Sequence, residues 1–263
     1  MTPGTRLILS PTVNPERQHK VEEARQQGRS LWELSKSFNL DLALIPSHFQ
    51  SPKLVVFDMD STLIHAEVID ELAIEAGVGE KVKLITEKAM QGELNFDESL
   101  RARVSLLQGL PETALPKVFN RITLNPGVAE CLEKLRSQGI KTAIASGGFR
   151  YFAQLLAARL KMDFYFANEL EIQTGVLTGK ISGEILNAQS KAEILSKLAC
   201  QLNLSLSQVV AVGDGANDLP MLRAAGLGVA FHAKEKVQRE AAALINYGTM
   251  ETLLDFIGIS REA

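Results

Sequence analysis

Cysteine is almost missing: Cys131 and Cys200 are the only two in 263 residues. Neither has a second Cys or a His at metal-ligand spacing, which excludes a disulfide framework and a structural zinc site. Both sit in apolar helical patterns and read as reduced packing residues. Long apolar runs are missing as well. A bilayer span needs about 18–20 consecutive apolar residues, and none occurs; the amino-terminal Leu7–Leu9 is too short for a secretory leader. The expectation is a cytoplasmic protein with no membrane partner. A large excess of one charge is absent too. Lys and Arg number 28 against 31 Asp and Glu, a net charge of −3, which gives no basic field for nucleic acid. Repeats and low-complexity tracts do not appear.

What is present has the texture of a globular α/β protein, 46% hydrophobic and 22% charged. Residues 1–20, with Pro3, Pro11 and Pro15, read as a loose polar arm. Residues 21–44 carry a helical pattern through Leu31, Trp32, Leu34 and Phe38. Pro46 and Pro52 then mark a linker, so residues 1–52 form a short, partly helical extension. The run Lys53–Phe57 is apolar and β-branched and stops at acidic residues, as a buried parallel strand does. Thr142–Ala145, Val209–Val212, Gly228–Phe231 and Ala243–Ile245 repeat the pattern. Helical periodicity fills the gaps, at Gly127–Gln138 and from Lys191 to Leu202. Alternation of this kind predicts a doubly wound parallel sheet, over 53–70 and 126–263. Residues 71–125 are helical throughout and read as a small cap inserted after the first strand. Val176–Gly179 has the look of a short hairpin.

Ligands in such folds bind outside the carboxyl ends of the strands, and the polar clusters fall there. Asp58-Met59-Asp60-Ser61-Thr62 follows the first run. A carboxylate there can attack phosphorus, and a second can protonate the leaving oxygen and then activate water. An acidic loop capping a helix, with Asp60 as the cap, is the plain alternative. Ser146-Gly147-Gly148 follows another strand and offers a hydroxyl and backbone N–H groups for a phosphate oxygen; a simple strand-to-helix turn explains it equally. Lys191 can neutralise phosphate or be a solvated surface lysine. Gly213-Asp214-Gly215-Ala216-Asn217-Asp218 offers hard oxygen donors of the kind Mg²⁺ prefers, or forms an Asx-rich turn.

The ordered set DxDST, SGG, Lys and GDGxND, from Asp58 to Asp218, resembles the haloacid dehalogenase-like hydrolases. FDMDSTLI, NFDESLRARVSLLQGL, PGVAECLEKLRSQGIKTAIASGGF and VVAVGDGANDLPMLRAAGLGVAFHAK are similar, more narrowly, to its phosphoserine phosphatase branch. The resemblance implies roles. Asp58 is the nucleophile and passes through an aspartyl-phosphate, and Asp60 is the general acid and base. Mg²⁺ is held by Asp58, the Asp60 main chain and Asp214, with Asp218 bracing the site. Ser146, Gly147 and Lys191 hold the phosphoryl group, with Asn217 beside them. In the cap, Glu67 faces a substrate amine, Arg103 grips a carboxylate, and Met90 and Phe96 shield the site from water. The substrate implied is a small phosphomonoester, O-phospho-L-serine, in serine biosynthesis.

The extension departs from that pattern. About fifty residues are too few for a regulatory domain with its own core, so serine sensing by such a domain is in doubt. His65 reads as a helix-start residue near the site. A phosphatase for another phosphomonoester, a phosphotransferase and a catalytically inactive binding module stay open, as does a homodimer.

Overall fold

The computed structural model describes residues 6–9 and 14–261, with the Met90 side chain outside that set. In chain order the elements are β1 (Arg6–Leu9), α1 (Pro15–Gln26), α2 (Leu31–Phe38), β2 (Leu42–Ile45) and β3 (Leu54–Phe57). The cap helices follow: α3 (Val68–Glu75), α4 (Gly79–Met90), α5 (Phe96–Ser105) and α6 (Ala114–Arg121). Then come α7 (Val128–Ser137), β4 (Lys141–Phe149), α8 (Arg150–Leu160), β5 (Phe164–Gln173), β6 (Val176–Ser182) and α9 (Ala188–Gln201). The chain ends with β7 (Val209–Gly213), α10 (Leu219–Ala224), β8 (Leu227–Phe231), α11 (Glu235–Gln238), β9 (Ala243–Ile245) and α12 (Thr252–Phe256).

One nine-stranded sheet runs β1-β2-β9-β8-β7-β3-β4-β5-β6. Its middle, from β9 to β5, is parallel. The two-residue strand period divides the core between the faces. Val55 and Phe57 join Leu132 and Leu135 of α7, Phe152 of α8 and Phe256 of α12. Leu54 and Val56 join Leu34 of α2, Leu195 of α9 and Leu222 of α10. Each side chain fully buried this way contributes about 1.5–3 kcal/mol. With β3 in the middle, the chain winds outward through β4 and β5 on one side and through β7, β8 and β9 on the other. The order therefore reverses between β3 and β7, the switch point at which doubly wound sheets open a crevice.

The amino-terminal residues differ from the sequence expectation. Leu7–Leu9 is not part of a loose arm: β1 pairs antiparallel with β2, and β2 with β9. Pro15 does not loosen the chain. It sits in the first turn of α1, where its missing N–H costs nothing, and the Asn14 side chain accepts from the Arg17 N–H. Pro3 and Pro11 lie outside the described residues. Leu42–Ile45 is a strand, not the end of a helix. So the extension has no core of its own, but it extends the sheet and closes one face through Leu31, Leu34 and Leu42. It follows that the cap is inserted after the third strand in chain order. Cys131 is buried, but Cys200 is exposed, because it falls on the solvent side of α9.

Two further boundaries move. Helix α9 begins at Ala188, not at Lys191, because the Asn187 side chain accepts from the Gln189 and Ser190 N–H groups. The hairpin is longer than expected: β5 and β6 turn at Thr174-Gly175, both with positive φ, and reach beyond the sheet to the cap. There the Gly109 N–H donates to the Leu177 carbonyl and the Leu177 N–H to the Leu110 carbonyl.

Candidate active site

The clusters read from the sequence meet at the β3/β7 switch point. The Asp58 N–H still belongs to the sheet and donates to the Val212 carbonyl at 2.9 Å. The chain then turns sharply. The Leu63 and Ile64 N–H groups both return to the Met59 carbonyl, at 2.9 and 3.1 Å, and Ser61 takes φ +57°. This turn sends the two carboxylates different ways. Asp58 is 4% exposed, and its Oδ1 accepts from the Met59 N–H and faces the Lys191 ammonium, each at 2.8 Å. No described residue donates to its Oδ2. The Asp60 Oδ1 accepts from the Val68 N–H at 3.1 Å, at the start of α3. Its Oδ2 faces the glycines at the carboxyl end of β4, where a Cβ on Gly148 would lie only 2.4 Å away. Helix capping and a site-facing oxygen are thus combined in one carboxyl group.

Lys191 is no surface lysine. It is wholly buried, and its Nζ bridges Asp58 and Asp218 Oδ1, the latter at 2.6 Å. Asp218 Oδ2 accepts from the Asp214 and Gly215 N–H groups, at 3.0 and 2.9 Å. Asp218 thereby fixes both the lysine and the glycine loop. It also packs against Gly213, where a Cβ would lie 2.4 Å from its Cγ. Asp214 points to the opening, with Oδ1 accepting from the Thr62 hydroxyl at 3.2 Å. Asn217 folds back over Gly215.

Ser146 and Gly147 sit where the pairing of β4 with β5 shifts register, between Ala145 and Phe149. The Ser146 Oγ accepts from the Gly148 N–H at 2.9 Å. Asn168 of β5 donates to the Gly147 carbonyl at 2.8 Å and accepts from the Leu186 N–H at 2.7 Å. Phe96, at the start of α5, covers this loop so closely that a Cβ on Gly147 would be 2.8 Å from its Cζ. Glu67 precedes α3 and accepts from the Ser61 hydroxyl at 2.8 Å. Arg103 donates through Nε to the Ser99 carbonyl at 3.3 Å, and its two terminal nitrogens make no hydrogen bond to a described residue. Met90 closes α4, and its side chain lies outside the described residues.

Three positions carry the geometry with no role of their own read from the sequence. Asn125 donates to the Ser61, Thr62 and Ile64 carbonyls, at 3.1, 2.9 and 3.2 Å, and holds the turn after Asp58 shut. Its Oδ1 meets His65 Nδ1 at 3.1 Å, which gives His65 a partner in that staple. Asn168 and Thr62 are the others. Only Asn168 has a detectable signal, a lone amide in an otherwise apolar strand start.

The electrostatics follow from crowding. Burial, with Asp218 and Asp214 nearby, pushes the Asp58 carboxyl up to about 8 against the pull of Lys191. Burial and Asp218 push Asp214 up to about 7. Burial, Glu67 and Asp58 push Asp60 well above the carboxylate range. Burial alone would depress the Lys191 ammonium, but Asp218 and Asp58 hold it above its usual value. Burial lowers Arg103, opposed by Asp70, Glu67 and Asp60. Asp58, Asp214 and Asp218 bring ligand oxygens within 4.8 Å of one another. Three carboxylates against one ammonium fit a hard divalent cation. Because both Asp218 oxygens are already engaged, Asp58 and Asp214 are the side chains placed to hold it.

This chain belongs to the haloacid dehalogenase-like hydrolase family, whose model matches residues 52–226. Its relatives within the family include phosphoserine phosphatases. That of Archaeoglobus fulgidus is 45% identical over 91% of this chain and 70% of its own length. That of Vibrio cholerae is 50% identical over 81% of this chain. The chain spans 65% of the Vibrio protein. The crystal structure of a probable phosphoserine phosphatase from Vibrio cholerae, in unliganded form, superposes with a TM-score of 0.82 at 38% identity, over 97% of this chain and 87% of that one.

Proposed function

We propose that this chain is a magnesium-dependent phosphatase that hydrolyses O-phospho-L-serine to L-serine and phosphate, the final step of serine biosynthesis, in the cytoplasm. The observation that carries the reading is the state of Asp58. One oxygen is tied to Met59 and Lys191, and the other accepts from no described residue, in a crevice that Arg103 and Glu67 overlook from the cap. The names of the relatives support the same substrate.

In this reading the Asp58 Oδ2 attacks phosphorus while the bond to the serine oxygen breaks. Asp60, whose carboxyl burial pushes well above the usual carboxylate range, gives its proton to the leaving oxygen. The product is serine and an aspartyl-phosphate on Asp58. Asp60, now a carboxylate, takes a proton from water, and the water oxygen attacks phosphorus. Phosphate leaves and the Asp58 carboxylate is restored. Asp58, the Asp60 main chain and Asp214 would hold Mg²⁺, which when bound would supply positive charge to keep Asp58 ionised and offset repulsion of the phosphate dianion. Lys191, Ser146 and the Gly147 loop hold the phosphoryl oxygens, with Asn217 at the edge and Asp218 fixing the lysine. Arg103 takes the substrate carboxylate, for which its planar fork suits bidentate contact. Glu67 takes the ammonium, and Phe96 and Met90 exclude water.

The test is phosphate release from O-phospho-L-serine, O-phospho-L-threonine and phosphoethanolamine, with magnesium and with EDTA. Fast release from phosphoserine that EDTA abolishes is expected. No release from phosphoserine sinks the reading, and equal rates on phosphoethanolamine sink the carboxylate-binding role of Arg103.

A further inference from the structure

Asn187 uses its two ends on two different bodies. Its Oδ1 accepts from the Gln189 and Ser190 N–H groups and caps α9, the helix that carries Lys191. Those two backbone donors fix which end of the amide is oxygen. The Nδ2 therefore points away from α9, and it donates to Asp97 Oδ1 at 3.4 Å. Asp97 lies in the first turn of α5, where the positive end of the helix favours a carboxylate. It follows Phe96, the ring that presses on Gly147. The bond thus joins cap to core next to the place where the cap seals the phosphate loop. Neither residue touches the reacting atoms, and neither has another evident reason to meet across 90 positions of chain.

We propose that Asp97 and Asn187 form a latch that sets the register of α5 against α9, so that Phe96 covers Gly147 and Arg103 faces the substrate above Lys191. They are positioning residues, and their effect on turnover rests on the phosphatase reading above. The latch works by matching one donor to one acceptor. Two carboxylates in its place repel and hold the cap ajar, whereas exchange of the two residues restores the match with the roles reversed.

The test uses three variants of the full chain. Asn187→Asp keeps the α9 cap, because Asp caps as well as Asn, but sets a carboxylate against Asp97. Asp97→Asn keeps a neutral hydrogen bond. The double variant Asp97→Asn/Asn187→Asp has the wild-type charge and the reversed bond. In magnesium, kcat/KM for phosphoserine is expected to fall about tenfold in Asn187→Asp, to change less than threefold in Asp97→Asn, and to recover at least half of the loss, on a log scale, in the double variant. The thermal midpoint of all three stays within about 2 °C of wild type. Amide hydrogen exchange over Phe96–Ser105, measured without substrate, should speed up in Asn187→Asp and return in the double variant. A double variant no better than Asn187→Asp in both readouts overturns the latch, as does unchanged exchange in Asn187→Asp. Because the exchange readout needs no turnover, it decides on the latch even if phosphoserine proves not to be the substrate.

Discussion

On the core wall of the site, the groups that flank the free Asp58 oxygen are held from several sides. Asp58, Lys191 and Asp218 form a buried chain of 2.6 and 2.8 Å contacts, and Asp218 is tied again to two backbone N–H groups. On the cap wall, Glu67 has one hydrogen bond to a serine and Arg103 one to a carbonyl of its own helix. The difference fits the two tasks proposed for these walls. Attack on phosphorus needs a nucleophile fixed before substrate arrives, since misplacement costs rate steeply. Recognition of a charged head group needs side chains that keep their charges unspent until the ligand is there. A site can therefore be rigid where bonds change and loosely held where selection occurs.

The largest test of the core wall is Asp58→Asn. An amide is a poor nucleophile, so phosphate release should fall by about 10⁴-fold or more while circular dichroism stays native. Near-normal turnover would remove Asp58 from the chemistry and the contrast with it. Next comes Lys191→Met. The methionine fits the space but leaves Asp58 and Asp218 buried without a cation, which costs about 3–5 kcal/mol. Urea unfolding measures it, and a loss under about 1 kcal/mol would mean that the core wall is less tightly bound than its geometry. The cap wall predicts the opposite pattern. Arg103→Ala should lower kcat/KM for phosphoserine roughly 10–100-fold, the worth of one charged hydrogen-bonded contact. Because the chain has lost only a half-exposed side chain, its stability and its turnover of p-nitrophenyl phosphate should change little. Equal losses on both esters would show that Arg103 serves the fold or the phosphate, not the head group.

The same contrast explains what could be read from the sequence. The core wall stands at the ends of strands whose apolar runs are unmistakable, so Asp58, Ser146 and Asp214 could be placed at one sheet edge from periodicity alone. Lys191 could not. One lysine in a helix looks solvated, and only the bridge between two distant aspartates shows otherwise. Asn125 is invisible for a related reason: it holds backbone carbonyls about sixty residues away in sequence, a job that carries no local pattern. The amino-terminal residues misled because four-residue strands such as RLIL and LALI have too little length to show a period. Their strand character comes from pairing at a distance, RLIL with LALI and LALI with β9 near the other end of the chain. Pro15 misled because proline breaks a helix in its middle but starts one at its first turn.

The smallest expected effect reads the crowding of carboxylates directly. Asp58 and Asp214 sit near 8 and 7 in the folded chain, against about 3.9 for an unfolded aspartate. Between about pH 4 and 8 the folded state therefore binds more protons than the unfolded one. Without a divalent cation, stability must then fall as pH rises through that window. In EDTA the thermal midpoint is expected to drop from pH 6 to pH 8 by a few degrees. Magnesium, in its proposed place on the ionised carboxylates of the folded state, should raise the midpoint most at pH 8 and least at pH 6. Arg103→Ala should leave both curves in place, and Asp58→Asn, which removes one of the crowded charges, should flatten the EDTA curve. An EDTA midpoint that is level or rises from pH 6 to 8 would mean that the core wall is not short of positive charge, and that its rigidity has another source than the contest among three aspartates for one lysine.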